Sequence, residues 1–293
     1  MTLAPRVVVV HRRTEYEELL ARHGTRSQAE FYLGTRGRDI AEVLSAHTLA
    51  VRARTEIAAA IPVRWRRGTV ERADLDRFLF APDDLVVVAG QDGLVANVAK
   101  YLDGQPVIGL NPDPARNPGV LVPHPVAACA ELLRLAASDR VDCEERAMVA
   151  ASTDDRRELL ALNEVYVGHP GHQSARYVLG GERQSSSGVL VATGTGATGW
   201  AASIRAGRGG GGVALPGPAE RGLAWFVREA WPSPATGTSL TEGRLGPGET
   251  LTLTCETDGL VVFGDGVESD RLTLSWGQDV RVGLAGRVLR LVR

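Results

Sequence analysis

Apolar residues along the first part of the chain fall into short unbroken runs separated by stretches of helical spacing. Val7–Val10, Leu85–Ala89 and Gln105–Leu110 show no alternation, the pattern of strands buried on both faces in a parallel sheet. Between them, Thr14–His23 reads as a helix with Leu19 and Leu20 on its buried side. Arg38–Ile61 reads as a longer helix with Ile40, Val43, Leu44, Ile57 and Ile61 on one face, closed by Pro62. Val63-Arg64-Trp65 is expected to be a strand, Leu75–Phe80 a connector, and Val95–Leu102 a helix. Asn111-Pro112-Asp113-Pro114 is a turn signal. Strands alternating with helices predict an α/β domain with a parallel sheet, spanning residues 1–124.

The grammar then changes. One more helix is expected over Val126–Leu135. After it come β-type segments at Leu159–Val167, Ala175–Leu179, Gly188–Thr193, Thr250–Thr254, Leu260–Phe263, Leu272–Trp276 and Val280–Val292, punctuated by glycine and proline. Residues 125–293 are therefore expected to form a mainly β domain, a sandwich or stacked sheets.

Composition narrows the function classes. A net charge of -2 over 293 residues does not suggest a polyanion-binding surface, so nucleic acid is not an expected partner. Lys100 is the only lysine and follows Ala99, which removes a Gly-Lys-Ser/Thr phosphate loop. Cys129, Cys143 and Cys255 have no ligand spacing, so neither a disulfide framework nor a zinc site is expected. No signal-like segment or membrane-length apolar span stands out, and the expected location is cytoplasmic, with no membrane partner.

Four stretches carry candidate chemistry. Leu85–Ala89 ends in Gly90-Gln91-Asp92-Gly93. This is either a plain Gly-Asp turn or an acid presented at the carboxyl end of a sheet strand, where such sheets bind ligands. The glycines would then permit positive φ and the approach of phosphate. Asn163-Glu164 lies inside an apolar run. It is either a solvated edge or a ligand-binding pair, and the second reading needs a local distortion, because adjacent strand residues face opposite ways. Gly194, Gly196 and Gly199 fit G-x-G-x-x-G, with Glu220 near the spacing of a ribose-binding acid. The helix after them is too short for a crossover and its neighbours read as antiparallel, so a dinucleotide-binding crossover is disfavoured. Thr193, Thr195, Thr198 and Ser203 supply hydroxyls there. Finally, Val261–Gly266 ends a strand in Asp265-Gly266, an ordinary hairpin signal.

In this order, Gly-Gln-Asp-Gly, Gly-Leu-Asn, Asn-Glu, Ser-Gly followed by a strand and Thr-Gly-Thr-Gly-Ala-Thr-Gly, then Asp-Gly, the chain resembles the ATP-NAD kinases. It is most similar to the branch that includes the animal mitochondrial NAD kinase. That resemblance covers nearly the whole chain and implies an α/β amino-terminal domain, a β carboxy-terminal domain, and NAD bound between them. The implied reaction moves the γ-phosphoryl group of ATP, with magnesium, to the 2′-hydroxyl of the adenosine ribose. Asp92 would be the base. Gly93, Asn163, Glu164, Ser187, Thr195, Thr198, Gly199 and Ser203 would bind NAD. Gly90, Gln91, Gly93 and Asn111 would bind the phosphate donor, and no protein metal site is expected. The family also implies a homo-oligomer. Gln91 stands where the family has glycine, Trp200 where it usually has tyrosine, and Ser187 where many relatives have aspartate. Three other readings remain open at this level. One is a related kinase acting on a nucleoside, sugar or lipid hydroxyl. Another is an NAD-binding pseudo-kinase disabled by Gln91. The third is an oxidoreductase using the Gly194 loop.

Overall fold

A computed structural model of the chain describes residues 4–293. They divide into two compact units: the described residues up to Cys143 with Arg290–Arg293, and Glu144–Leu289.

The first unit contains β1 (Arg6–His11), α1 (Glu15–His23), α2 (Arg26–Gly34), α3 (Ile40–Ala60), β2 (Arg66–Glu71), β3 (Asp84–Ala89), α4 (Asp92–Ala99), β4 (Pro106–Asn111), β5 (His124–Pro125) and α5 (Cys129–Ala137). The strands run parallel in the order β2-β1-β3-β4. Two short partners share β4, also in parallel: Arg290 and Leu291 pair with Pro106 and Val107, and β5 pairs with Leu110 and Asn111. Val7, Val87, Ile108 and Leu110 pack on Ile57 of α3 and Leu133 of α5. The alternate residues Val8, Val10, Val86 and Val88 are equally buried, as an unbroken apolar run covered on both faces requires. One charged pair sits inside this layer. Fully buried Asp84 takes two hydrogen bonds from the Arg6 guanidinium, at 2.7 and 2.6 Å.

Local chemistry explains where elements begin. Thr14 caps α1 through a reciprocal box: the Glu17 N–H donates to Thr14 Oγ1, and the Thr14 N–H donates to the Glu17 carboxylate. Asp39 caps α3. Three expectations shift. Val63–Trp65 is not a strand. Pro62 starts a turn in which the Trp65 N–H donates to the Pro62 carbonyl, and β2 follows at Arg66. This edge strand buries only Val70, so it has no apolar run to read. The helix expected at Val95 begins at Asp92, where an acid in the first turn complements the helix dipole. The boundary between units falls at Cys143/Glu144 rather than at residue 124, because Cys129, Leu132, Leu133 and Ala136 of α5 bury themselves in the first unit's core.

The second unit contains β6 (Cys143–Thr153), β7 (Glu158–Ala161), β8 (Glu164–Gly168), β9 (Ala175–Leu179), β10 (Glu182–Ser186), β11 (Val189–Thr193), α6 (Trp200–Gly207), β12 (Leu223–Val227), β13 (Glu242–Leu245), β14 (Thr250–Cys255), β15 (Leu260–Gly264), β16 (Val267–Leu274) and β17 (Asp279–Val292, whose last residues belong to the first unit). A six-stranded antiparallel sheet runs β13-β12-β11-β8-β15-β16. A second layer is built from β10-β9-β14-β17 with β6 and β7. Val165, Val167, Val191, Leu223 and Val262 of the first sheet share a core with Tyr177, Leu253, Val280 and Val282 of the second. On the outer face, Tyr166, Leu190, Ala192 and Phe226 are covered by Ala201 and Ile204 of α6. The expected sandwich is present. Among the described residues, no helix is long and apolar enough to cross a membrane.

Candidate functional site

In the first unit the sheet delivers Asp92 to the amino terminus of α4, at the carboxyl end of β3. Neither Gly90 nor Gly93 has a positive φ, and Gln91 is extended at φ -106°. Glutamine is therefore unstrained at the position where the family has glycine. Its side chain is exposed, and a Cβ at Gly93 would stand in open space. The Asp92 carboxylate is engaged. Leu121 and Val122 N–H groups donate to Oδ1 at 2.8 and 3.2 Å, and the Val120 N–H donates to Oδ2 at 3.1 Å. An ionised carboxylate offers about four acceptor positions, so three bonds leave it little spare capacity. The loop that supplies these donors lies tight on β4. A Cβ on Gly109 would collide with the Leu121 carbonyl, and Gly119 has φ +74° with no room for a side chain beside Val122 O. Asn111 organises the same loop: its Nδ2 donates to Asn117 O at 2.9 Å and its Oδ1 accepts from the Asp113 N–H at 3.0 Å.

In the second unit the apolar run Leu159–Val167 is not one strand. It breaks at Leu162-Asn163, between β7 and β8. All four main-chain polar groups of the break are satisfied. The Leu162 and Asn163 N–H groups donate to Asp265 Oδ2 and Oδ1, at 2.9 and 2.7 Å. The Leu162 carbonyl accepts from the Thr193 hydroxyl at 2.6 Å, and the Asn163 carbonyl from the Thr193 N–H at 2.8 Å. This is the distortion the Asn-Glu pair needs. It leaves the Asn163 amide and the Glu164 carboxylate, both half-buried, without a hydrogen-bond partner among the described residues. Burial first, and the nearby Asp265 charge second, push the Glu164 carboxyl up to about 7. A buried acid without a partner is costly, and costly unpaired groups of this kind cluster at functional sites.

The glycine-rich loop packs onto this break. Thr193 Oγ1 also accepts from the Thr195 and Gly196 N–H groups, both at 3.2 Å. A Cβ on Gly196 would collide with the Asn163 carbonyl, and one on Gly194 with the Gly217 carbonyl. These two glycines thus serve chain-on-chain packing. Thr195 Oγ1 is buried with no hydrogen-bond partner, whereas Thr198, Gly199 and Ser203 are exposed. The G-x-G-x-x-G match is not a crossover: β11 is antiparallel to both its neighbours, and Glu220 is taken up by Arg244 and the Gly217 N–H. Beside the break, Trp200 stacks on Tyr166 at 5.6 Å and 16°, with the Arg228 guanidinium 5.0 Å from the Trp200 ring. The Tyr166 hydroxyl donates to Ser187 O at 2.8 Å, and the Ser187 side chain is exposed.

Sequence reasoning singled out Asn163 and Glu164 but missed the groups that hold them. Asp265 reads only as a turn residue, since its partners lie about a hundred positions away. Gly109 and Gly119 give no local signal either. Among the described residues, no cluster of three or more His, Cys, Asp or Glu side chains could hold a metal ion.

Comparison with solved structures finds a fold similar to yeast NADH kinase complexed with NADH. The TM-score is 0.57 at 14% sequence identity, covering 99% of this chain and 83% of that one. No protein-family model and no curated protein matches the chain. The chain has the two-domain, NAD kinase-like fold.

Proposed function

We infer that this chain is an NAD kinase, transferring the γ-phosphoryl group of ATP to the 2′-hydroxyl of the adenosine ribose of NAD to give NADP. The observation that carries the reading is the break at Leu162-Asn163. It leaves an amide and a carboxylate, on adjacent half-buried residues, without a hydrogen-bond partner among the described residues, while every main-chain group of the break is satisfied. A carboxylate accepts hydroxyl donors, so Glu164 suits a ribose. The kinase-like fold and the order of motifs along the chain support the same reading, and those motifs resemble the branch that includes the animal mitochondrial enzyme. Asn163, Glu164, Ser187, Thr195, Thr198, Gly199 and Ser203 would bind NAD. Gly90, Gln91, Gly93 and the first turn of α4 would receive donor phosphate, and Asn111 would act there by shaping the loop it already binds. Magnesium would arrive with ATP as part of the substrate, held by phosphate oxygens. Phosphoryl transfer needs positioning and charge stabilisation more than covalent chemistry, and Asp92 would accept the 2′-hydroxyl proton once a backbone donor leaves it.

The three backbone bonds on Asp92 favour a second reading, an NAD-binding protein without turnover. One experiment separates the two. Purified protein is incubated with NAD, ATP and magnesium, and NADP is read by an NADP-specific dehydrogenase. NADP formation that falls by orders of magnitude in Asp92→Asn, with NAD binding kept, supports the kinase. NAD binding by calorimetry without NADP supports the second reading. Neither binding nor turnover rejects both.

A further inference from the structure

We propose that Asp265 is a positioning residue for the Asn163-Glu164 pair: the carboxylate at the tip of the β15–β16 hairpin clamps the crossing from β7 to β8 and so fixes how the pair is presented to its ligand. The proposal rests on the pair being a dinucleotide-binding element, as inferred above.

Asp265 and Gly266 both have positive φ, +53° and +67°, the geometry of a two-residue hairpin turn. Turn chemistry alone would accept asparagine or glycine at position 265. The carboxylate does something further. Its two oxygens accept consecutive N–H groups, Leu162 and Asn163, while the Asp265 N–H donates to the Glu164 carbonyl at 3.1 Å. One residue thereby grips three successive residues of another segment. Gly264 lets the hairpin lie that close, since a Cβ there would come within 2.6 Å of Ala161 Cβ. Without the carboxylate, two inward N–H groups lose their acceptor. Leu162 and Asn163 lie where the chain passes from β7 in one sheet to β8 in the other, so the crossing then shifts to find new acceptors and no longer fixes how Asn163 and Glu164 are presented. The same carboxylate is the charged group acting on Glu164, so its removal also lowers the pH at which Glu164 ionises.

Asp265→Gly and Asp265→Asn both tolerate the turn, so the hairpin should survive, as circular dichroism and a cooperative melt would verify. The test follows three readouts in the full-length protein and both variants: NADH binding by fluorescence, hydrogen exchange at the Leu162 and Asn163 amides, and the Glu164 carboxyl titration by NMR, assigned with Glu164→Gln. The expected result is NADH binding weakened roughly tenfold or more, faster exchange at both amides, and a Glu164 midpoint moved to lower pH. Full NADH affinity in Asp265→Gly would overturn the proposal. If the unsubstituted protein binds neither NAD nor NADH, the functional reading fails by itself. Exchange and titration then still decide Asp265: unchanged values in the variants reject its hold on the pair, and changed values sustain it.

Discussion

At residue scale the two acids of interest are held in opposite ways. Asp92 is nearly saturated by backbone donors, and Glu164 has none. Glu164 therefore makes a pH-dependent claim on stability. Its folded ionisation lies near 7 against an ordinary 4.5. The folded protein keeps the proton longer than the unfolded chain. Stability is then complete below about 4.5, falls as pH rises toward 7, and stays lower above it, by about 3 kcal/mol. Glu164→Gln removes the titration. Denaturant melts should show the variant gaining on the parent between pH 4.5 and 7 and holding that gain at pH 8; parallel curves would exclude an unpaired buried acid. On the proposed function, NAD affinity in the parent should rise over the same interval, since the ionised carboxylate is the stronger acceptor of ribose hydroxyls.

At the scale of elements, close backbone approaches shape both constellations. Gly109 lets the Gly119–Val122 loop lie on β4 and aim its N–H groups at Asp92. Gly109→Ala puts a methyl against the Leu121 carbonyl, which is backbone and cannot swing aside. Overpacking of this kind costs about 1–3 kcal/mol. The expected outcome is a lower melting temperature together with faster hydrogen exchange at Leu121 and Val122. A neutral effect would mean the loop has freedom to move off the sheet. Both the glycine-rich loop and the Asp-Gly hairpin work in the second unit as Gly109 does in the first. Gly194 and Gly196 admit neighbouring backbone and Gly264 admits the Ala161 methyl, and the polar side chains Thr193 and Asp265 then bind the backbone of the adjoining segment.

At the scale of the whole molecule, the chain's last residues close its first sheet. Arg290 and Leu291 pair with the first half of β4, and Leu291 and Val292 are fully buried. Deleting Arg290–Arg293 removes two buried aliphatic side chains, worth about 3–6 kcal/mol together, and uncovers a parallel edge. The first unit should then unfold at lower denaturant, with β4 amides losing exchange protection, while β11 and β12 of the second unit keep theirs. Equal protection in both forms would show the pairing to be dispensable.

Much of this was legible in sequence because it rests on local chemistry. Unbroken apolar runs located β1, β3 and β4, and apolar or alternating segments located β9, β11, β14, β15 and β17 of the sandwich, while β6, β12 and β13 went unmarked. Thr14 and Pro62 marked helix ends, and Asn163-Glu164 stood out as polar residues in an apolar segment. Strands such as β2 and β10 were illegible, because each has a largely polar sequence held in place by its neighbours. The sandwich assignment and the candidate pair thus follow from patterning, since burial imposes a period on the chain. The break between β7 and β8, the clamp on Asp92 and the reach of Asp265 follow from contacts tens to about a hundred residues apart. Such contacts leave no period, since a hydrogen bond across the fold needs only one acceptor in the right place.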